Sequence, residues 1–80
     1  MIQTDSDGNM MICIMFYGKP RMVFLHVYEN SMVYRFSISL FHPPRIRIHE
    51  WIYNKNIYKT FNDAVKKYIE ELNAYYSEEE

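Results

Sequence analysis

The residues able to do chemistry are few and scattered. His26, His42 and His49 fall at intervals that match no metal-ligand spacing, and no second ligand set accompanies them. The lone Cys13 sits inside an apolar run, where a thiol is expected to be buried, inert and without a neighbouring base. Ser37 and Ser39 alternate as small strand residues do. Asp5-Ser6-Asp7-Gly8-Asn9 has the acids of a calcium loop but not its spacing: Gly8 comes fourth, and Ile14 and Phe16 stand where later ligands belong. It reads as a turn. Gly18-Lys19 lacks the upstream glycine and the following Ser or Thr of a phosphate-binding loop. These patterns lead us to expect no catalytic residues, no metal and no cofactor. The chain is expected not to be an enzyme.

A different grouping carries more weight. Met10 to Tyr17 reads Met-Met-Ile-Cys-Ile-Met-Phe-Tyr. As a strand it places Met10, Ile12, Ile14 and Phe16 on one side and Met11, Cys13, Met15 and Tyr17 on the other. Both faces are apolar, so both call for cover. Six methionines, among them Met10, Met11, Met15, Met22 and Met32 clustered in the first hairpin region, add adaptable apolar surface.

The elements that must position these residues follow from periodicity. Strands are expected at about 10–17, 21–28, 32–41 and 45–53, with a short fifth at 57–59. Gly18-Lys19-Pro20, Glu29-Asn30-Ser31, His42-Pro43-Pro44 and Asn54-Lys55-Asn56 separate them. A helix is expected over 60–76, capped by Thr60, with Asp63 three residues on. Phe61, Ala64, Val65, Tyr68, Ile69, Leu72, Tyr75 and Tyr76 recur at helical spacing. Lys66, Lys67, Glu70, Glu71 and Asn73 fill the opposite side, with i,i+4 pairs Lys66–Glu70 and Lys67–Glu71. Residues 1–9 form a polar lead and 77–80 an acidic tail.

The fold expected is α+β: one domain over 1–80, an antiparallel meander of four to five strands with one C-terminal helix packed on one face. Such a helix is roughly 24 Å long and 10 Å wide, against a sheet nearly 20 Å across. One face therefore has no element left to cover it. In strand three, Met32, Tyr34, Phe36, Ile38 and Leu40 suit the core. In strand four, Ile46, Ile48 and Ile52 suit it, leaving Arg45, Arg47, His49, Trp51 and Tyr53 to join Arg35 on the outer face. Whether strand two contributes Val23, Leu25 and Val27 or Met22, Phe24, His26 and Tyr28 depends on hairpin register, and a slip of one residue exchanges the sets.

Composition narrows the function classes. At 49% hydrophobic and 18% aromatic, the chain is too apolar to be disordered. A net charge of −1 supplies no field to hold nucleic acid or an acidic membrane. One cysteine excludes an internal disulfide, the apolar run is too short to span a bilayer, and the start has no signal-peptide pattern. A cytoplasmic location is expected, in the host cell if the chain is phage-encoded.

Abundant Ile, Tyr, Asn, Lys, Phe and Met point to AT-rich coding. In size and composition the chain resembles small inhibitors and accessory factors encoded by phages. The leading expectation is a small protein-binding module, concretely an inhibitor that sterically blocks a bacterial host or defence protein, docking or self-associating through strand one and the uncovered face. Trp51, Tyr53, Tyr17 and Met15 would supply apolar area, Arg45 and Arg47 directional contacts, and Arg35 and His49 the rest of the surface. The alternatives are a single-stranded nucleic-acid binder, with bases stacked on Trp51 and Tyr53, and a structural subunit of a larger assembly.

Overall fold

The computed structural model describes residues 9–77. Four strands, β1 (Asn9–Phe16), β2 (Lys19–Glu29), β3 (Val33–His42) and β4 (Arg45–Asn54), precede one helix, α1 (Phe61–Tyr75). The strands form an antiparallel meander in the order β1-β2-β3-β4, and α1 packs on one face of it. The expected polar lead (except Asn9) and the last three tail residues lie outside the described residues.

Local chemistry explains each connection. Tyr17 and Gly18, both with positive φ (51° and 82°), form the two-residue turn between β1 and β2. Glycine takes that conformation freely. Tyr17 is held there by its N–H donating to the Tyr76 carbonyl (2.9 Å) and by ring contacts with Phe16 and Tyr76. The turn is therefore one residue earlier than expected, and Lys19 and Pro20 belong to β2. In the next hairpin, Asn30 Oδ1 accepts from the N–H groups of Met32 and Val33. That local bond keeps Met32 in the loop, exposed, and not in the core as expected.

No fifth strand forms at 57–59. Asn54 Oδ1 accepts from the Asn56 N–H, and the Asn54 carbonyl accepts from Ile57 and Tyr58. The chain thus turns directly toward α1, whose cap is the expected one: Thr60 Oγ1 accepts from the Asp63 N–H (3.1 Å).

The core takes alternate residues from each strand. Ile12, Ile14 and Phe16 from β1 meet Val23 and Leu25 from β2, and Tyr34, Phe36, Ile38 and Leu40 from β3. Ala64, Val65, Tyr68 and Leu72 close it from α1, with Tyr76 beyond the helix end. Register resolves the open question on β2. Ile12 pairs with Val23 and Leu25 with Ile38, so Val23 and Leu25 face the helix and Met22, Phe24, His26 and Tyr28 face away.

The phase of β4 is the reverse of that expected. Tyr34 pairs with Tyr53, Ile38 with His49 and Leu40 with Arg47, so the odd residues of β4 share the helix face. Tyr53 is 3% exposed and part of the core, whereas Ile46 and Ile48 are 68% and 73% exposed on the other face, with Ile52 beside them. The short connection through Pro43-Pro44 sets this register, leaving His42 opposite Arg45. The helix then rewards it, because Tyr68 and Glu71 offer polar partners to His49 and Tyr53 that isoleucines could not use.

Candidate binding surface

On the face turned from α1, odd residues of β1 and β3 alternate with even residues of β2 and β4. Met11 stands opposite Phe24, Cys13 opposite Met22, Ser39 opposite Ile48 and Phe41 opposite Ile46. Met11, Cys13, Met15, Met22, Phe24 and Phe41 are all exposed, as are the three isoleucines of β4, so Cys13 is not the buried thiol expected: its odd position in β1 turns it away from the helix. Taking about 200 Å² for a fully exposed large apolar residue, this surface amounts to on the order of 900 Å². The largest apolar patch on an ordinary monomer is roughly 300–600 Å².

The polar groups of this face are gathered at one end and largely satisfied. Arg35 pairs with Glu50 (Nε–Oε2 3.2 Å) and lies over the Tyr28 ring at 4.7 Å. His26 stands opposite Ser37 there. Between the large side chains of β2 and β4, β3 presents only Ser37 and Ser39 until Phe41. Ser37 and Ser39 thus form the floor of a shallow trough, closed by Arg35 at one end and Phe41 at the other, and this side of the sheet is called the trough face.

The two hairpins part at the apolar end. Pairing of β2 with β3 covers Leu25–Glu29 against Tyr34–Ile38 and stops there. Pro20 has no N–H to offer on the β3 side. Beyond the ladder, Arg21 bridges the strands by donating from Nη2 to the Phe41 carbonyl (2.6 Å), its guanidinium over the Phe16 ring.

The residues singled out from the sequence divide between two faces. Met15 and Arg35 belong to the trough face. Arg45, Arg47, His49, Trp51 and Tyr53 belong to the helix side of β4, and Tyr17 to the turn. Trp51 is 57% exposed even so, because α1 lies chiefly over β1 and β3 and leaves the β4 margin open. Phe24, Met22, Phe41, Ile46, Ile48 and Ile52 were not named as binding residues. The alternation of β3 already puts Phe41 on the outer face; the others lie in β2 and β4, where only register assigns them to a face.

Under the helix, polar tips form a closed network. The Tyr68 hydroxyl donates to the His49 carbonyl (3.2 Å) and so must accept from His49 Nδ1 (3.0 Å), which places that proton on Nδ1. The Tyr53 hydroxyl donates to Glu71. Burial pushes the Tyr53 and Tyr68 hydroxyls well up, with the Glu71 hydrogen bond and charge adding to the effect at Tyr53, and raises Tyr76 as well. Burial lowers His49, against a smaller opposing pull from Glu71. Tyrosines so shifted stay protonated and serve as donors within the core, not as nucleophiles. Glu71 is therefore unavailable for the expected Lys67 pair, and Lys67 approaches Glu70 instead (3.7 Å). Asn73, expected on the outer side of the helix, turns its Oδ1 to the Met15 N–H (2.7 Å). Among the described residues, no group of three His, Cys, Asp or Glu is placed to hold a metal ion, and no helix is long and apolar enough to cross a membrane.

Comparison with protein-family models, curated proteins and solved structures finds no match to this chain.

Proposed function

We propose that this protein is a non-enzymatic protein-binding module whose working surface is the trough face of the sheet. One observation carries the proposal: a face of exposed Met, Phe and Ile side chains lies open on the side of the sheet opposite α1. Its area is comparable to the roughly 800 Å² each partner contributes to a standard interface. Flexible methionines on β1 and β2 suit an irregular partner. Steric inhibition of a bacterial host or defence protein by a phage-encoded chain is the most concrete form of this function. The nucleic-acid alternative has less to support it, since Arg45, Arg47 and Trp51 lie on the side of β4 away from the trough.

The test is capture of partners from the source cells with three baits of equal fold: wild type, Phe24→Lys and the helix-face control Lys66→Glu. A partner retained at fixed stoichiometry by wild type and Lys66→Glu but lost by Phe24→Lys supports the proposal. Retention by Phe24→Lys sinks it.

A further inference from the structure

We propose that β4 is the seam of a homodimer, in which β4 of a second copy pairs antiparallel along its free edge and joins the two sheets into one of eight strands. The inference concerns a different surface from the trough and does not rest on it.

The two edges of the sheet are treated unequally. Along β1, the outward Met15 N–H is taken by Asn73 of α1, and just beyond the strand the Tyr17 N–H is taken by the Tyr76 carbonyl. Among the described residues, no such bond caps the other edge. The Lys55 N–H donates to the Met32 carbonyl, which fixes the odd residues of β4 as those bonded to β3. The backbone N–H and C=O groups of Ile46, Ile48, Glu50 and Ile52 therefore point away from β3. Natural sheets blunt such an edge with charged side chains, lysine above all, with proline, with a bulge or with a covering element. From Arg45 to Asn54 β4 carries Arg45, Arg47 and Glu50 but no proline or lysine, and its ladder with β3 runs unbroken.

Self-complementarity selects the second copy as occupant. A two-fold axis that keeps the trough faces on one side must pair even residues with even ones. Centring it on Glu50 sets Glu50 against its own copy, which is repulsive. Centring it on Ile48 brings Pro44, which has no N–H, into a hydrogen-bonded position opposite Ile52. Centring it on His49 sets that residue beside its own copy, avoids the Glu50 clash and moves Pro44 to the strand end, opposite Asn54. Ile46 then faces Ile52 of the second copy, Ile48 faces Glu50, and Arg47 faces Trp51, a cation–π pair. The segment from Arg45 to Tyr53 overlaps in full, giving about eight backbone hydrogen bonds. The half-exposed Trp51 and Arg47, which contribute nothing to the trough, acquire partners. Pairing also merges the two troughs into one surface, with the isoleucines of β4 at its middle.

Sedimentation equilibrium from 5 to 500 µM tests this with four chains, each checked for native circular dichroism. Wild type is expected at twice the single-chain mass. Trp51→Lys, which sets a cation against Arg47 of the second copy, is expected to weaken dimerisation at least about tenfold. Adding Arg47→Glu to Trp51→Lys is expected to restore it, because the opposed charges now attract. Phe24→Lys on the trough face is expected to stay dimeric. A monomeric wild type, a dimer indifferent to Trp51→Lys, failure of the double variant to recover, or loss of the dimer in Phe24→Lys would each overturn the proposal. None of these outcomes depends on whether the trough binds a partner.

Discussion

Individual residues define two kinds of aromatic position in this chain. His49 is half-buried, bonded through Nδ1 to Tyr68, and its imidazole is harder to protonate than in the unfolded chain. The sign of the consequence is fixed by linkage: between the lowered folded value and the unfolded value near 6.5, the unfolded chain binds the extra proton. Stability contributed by neutral His49 is thus complete above about pH 7 and declines as the pH falls below 6.5. Urea denaturation at pH 7.5 and 5.5 should show this loss, and His49→Gln should remove most of the difference. An unchanged pH dependence in that variant would place its origin elsewhere. Phe36, by contrast, is fully buried against Phe61 and Tyr68. Phe36→Ala should cost roughly 3–5 kcal/mol through cavity formation, whereas Phe24→Lys on the open face should change stability by no more than about 0.5 kcal/mol. Comparable losses from both would contradict the assignment of faces.

At the scale of elements, the helix cap and the strand phases test different parts of the fold. Thr60→Ala removes the acceptor for the Asp63 N–H and should cost about 1 kcal/mol in the same denaturation experiment. That cap, the helical stripe and the alternation of β1 and β3 were legible in the sequence because each follows from a local period. The phase of β4 was not. Apolarity alone favours Ile46, Ile48 and Ile52 for the core, but the strand obeys its pairing with β3, and Tyr53 and His49 find hydroxyl and carboxylate partners on α1 that are invisible from one strand. The uncovered face was legible as an excess of apolar surface over available cover. Its composition was not, since the register of β2 and the phase of β4 decide it. The exchange replaces an expected array of arginines and aromatics by Met, Phe and Ile, and so shifts the balance from nucleic acid toward a protein partner. Tyr75 and Tyr76 divide as their adjacency suggests, one exposed and one buried.

For the whole molecule, one helix over a four-stranded sheet leaves a surface that costs free energy in water and must be offset by the core beneath it. Selection for stability alone would replace those side chains by polar ones, since the exposed face is the cheapest place to do so. Their presence is the central physical argument for binding. Cys13, exposed in the middle of the β1 row opposite Met22, is a built-in reporter of that face. The most direct measurement is the rate of Cys13 alkylation by iodoacetamide, followed by mass spectrometry, in the free protein and in the complex with its captured partner. Rapid modification in the free protein, whether monomeric or joined through β4, and protection of at least about tenfold in the complex are predicted. Equal rates with the partner bound would show that the partner leaves the trough open, and would contradict the account.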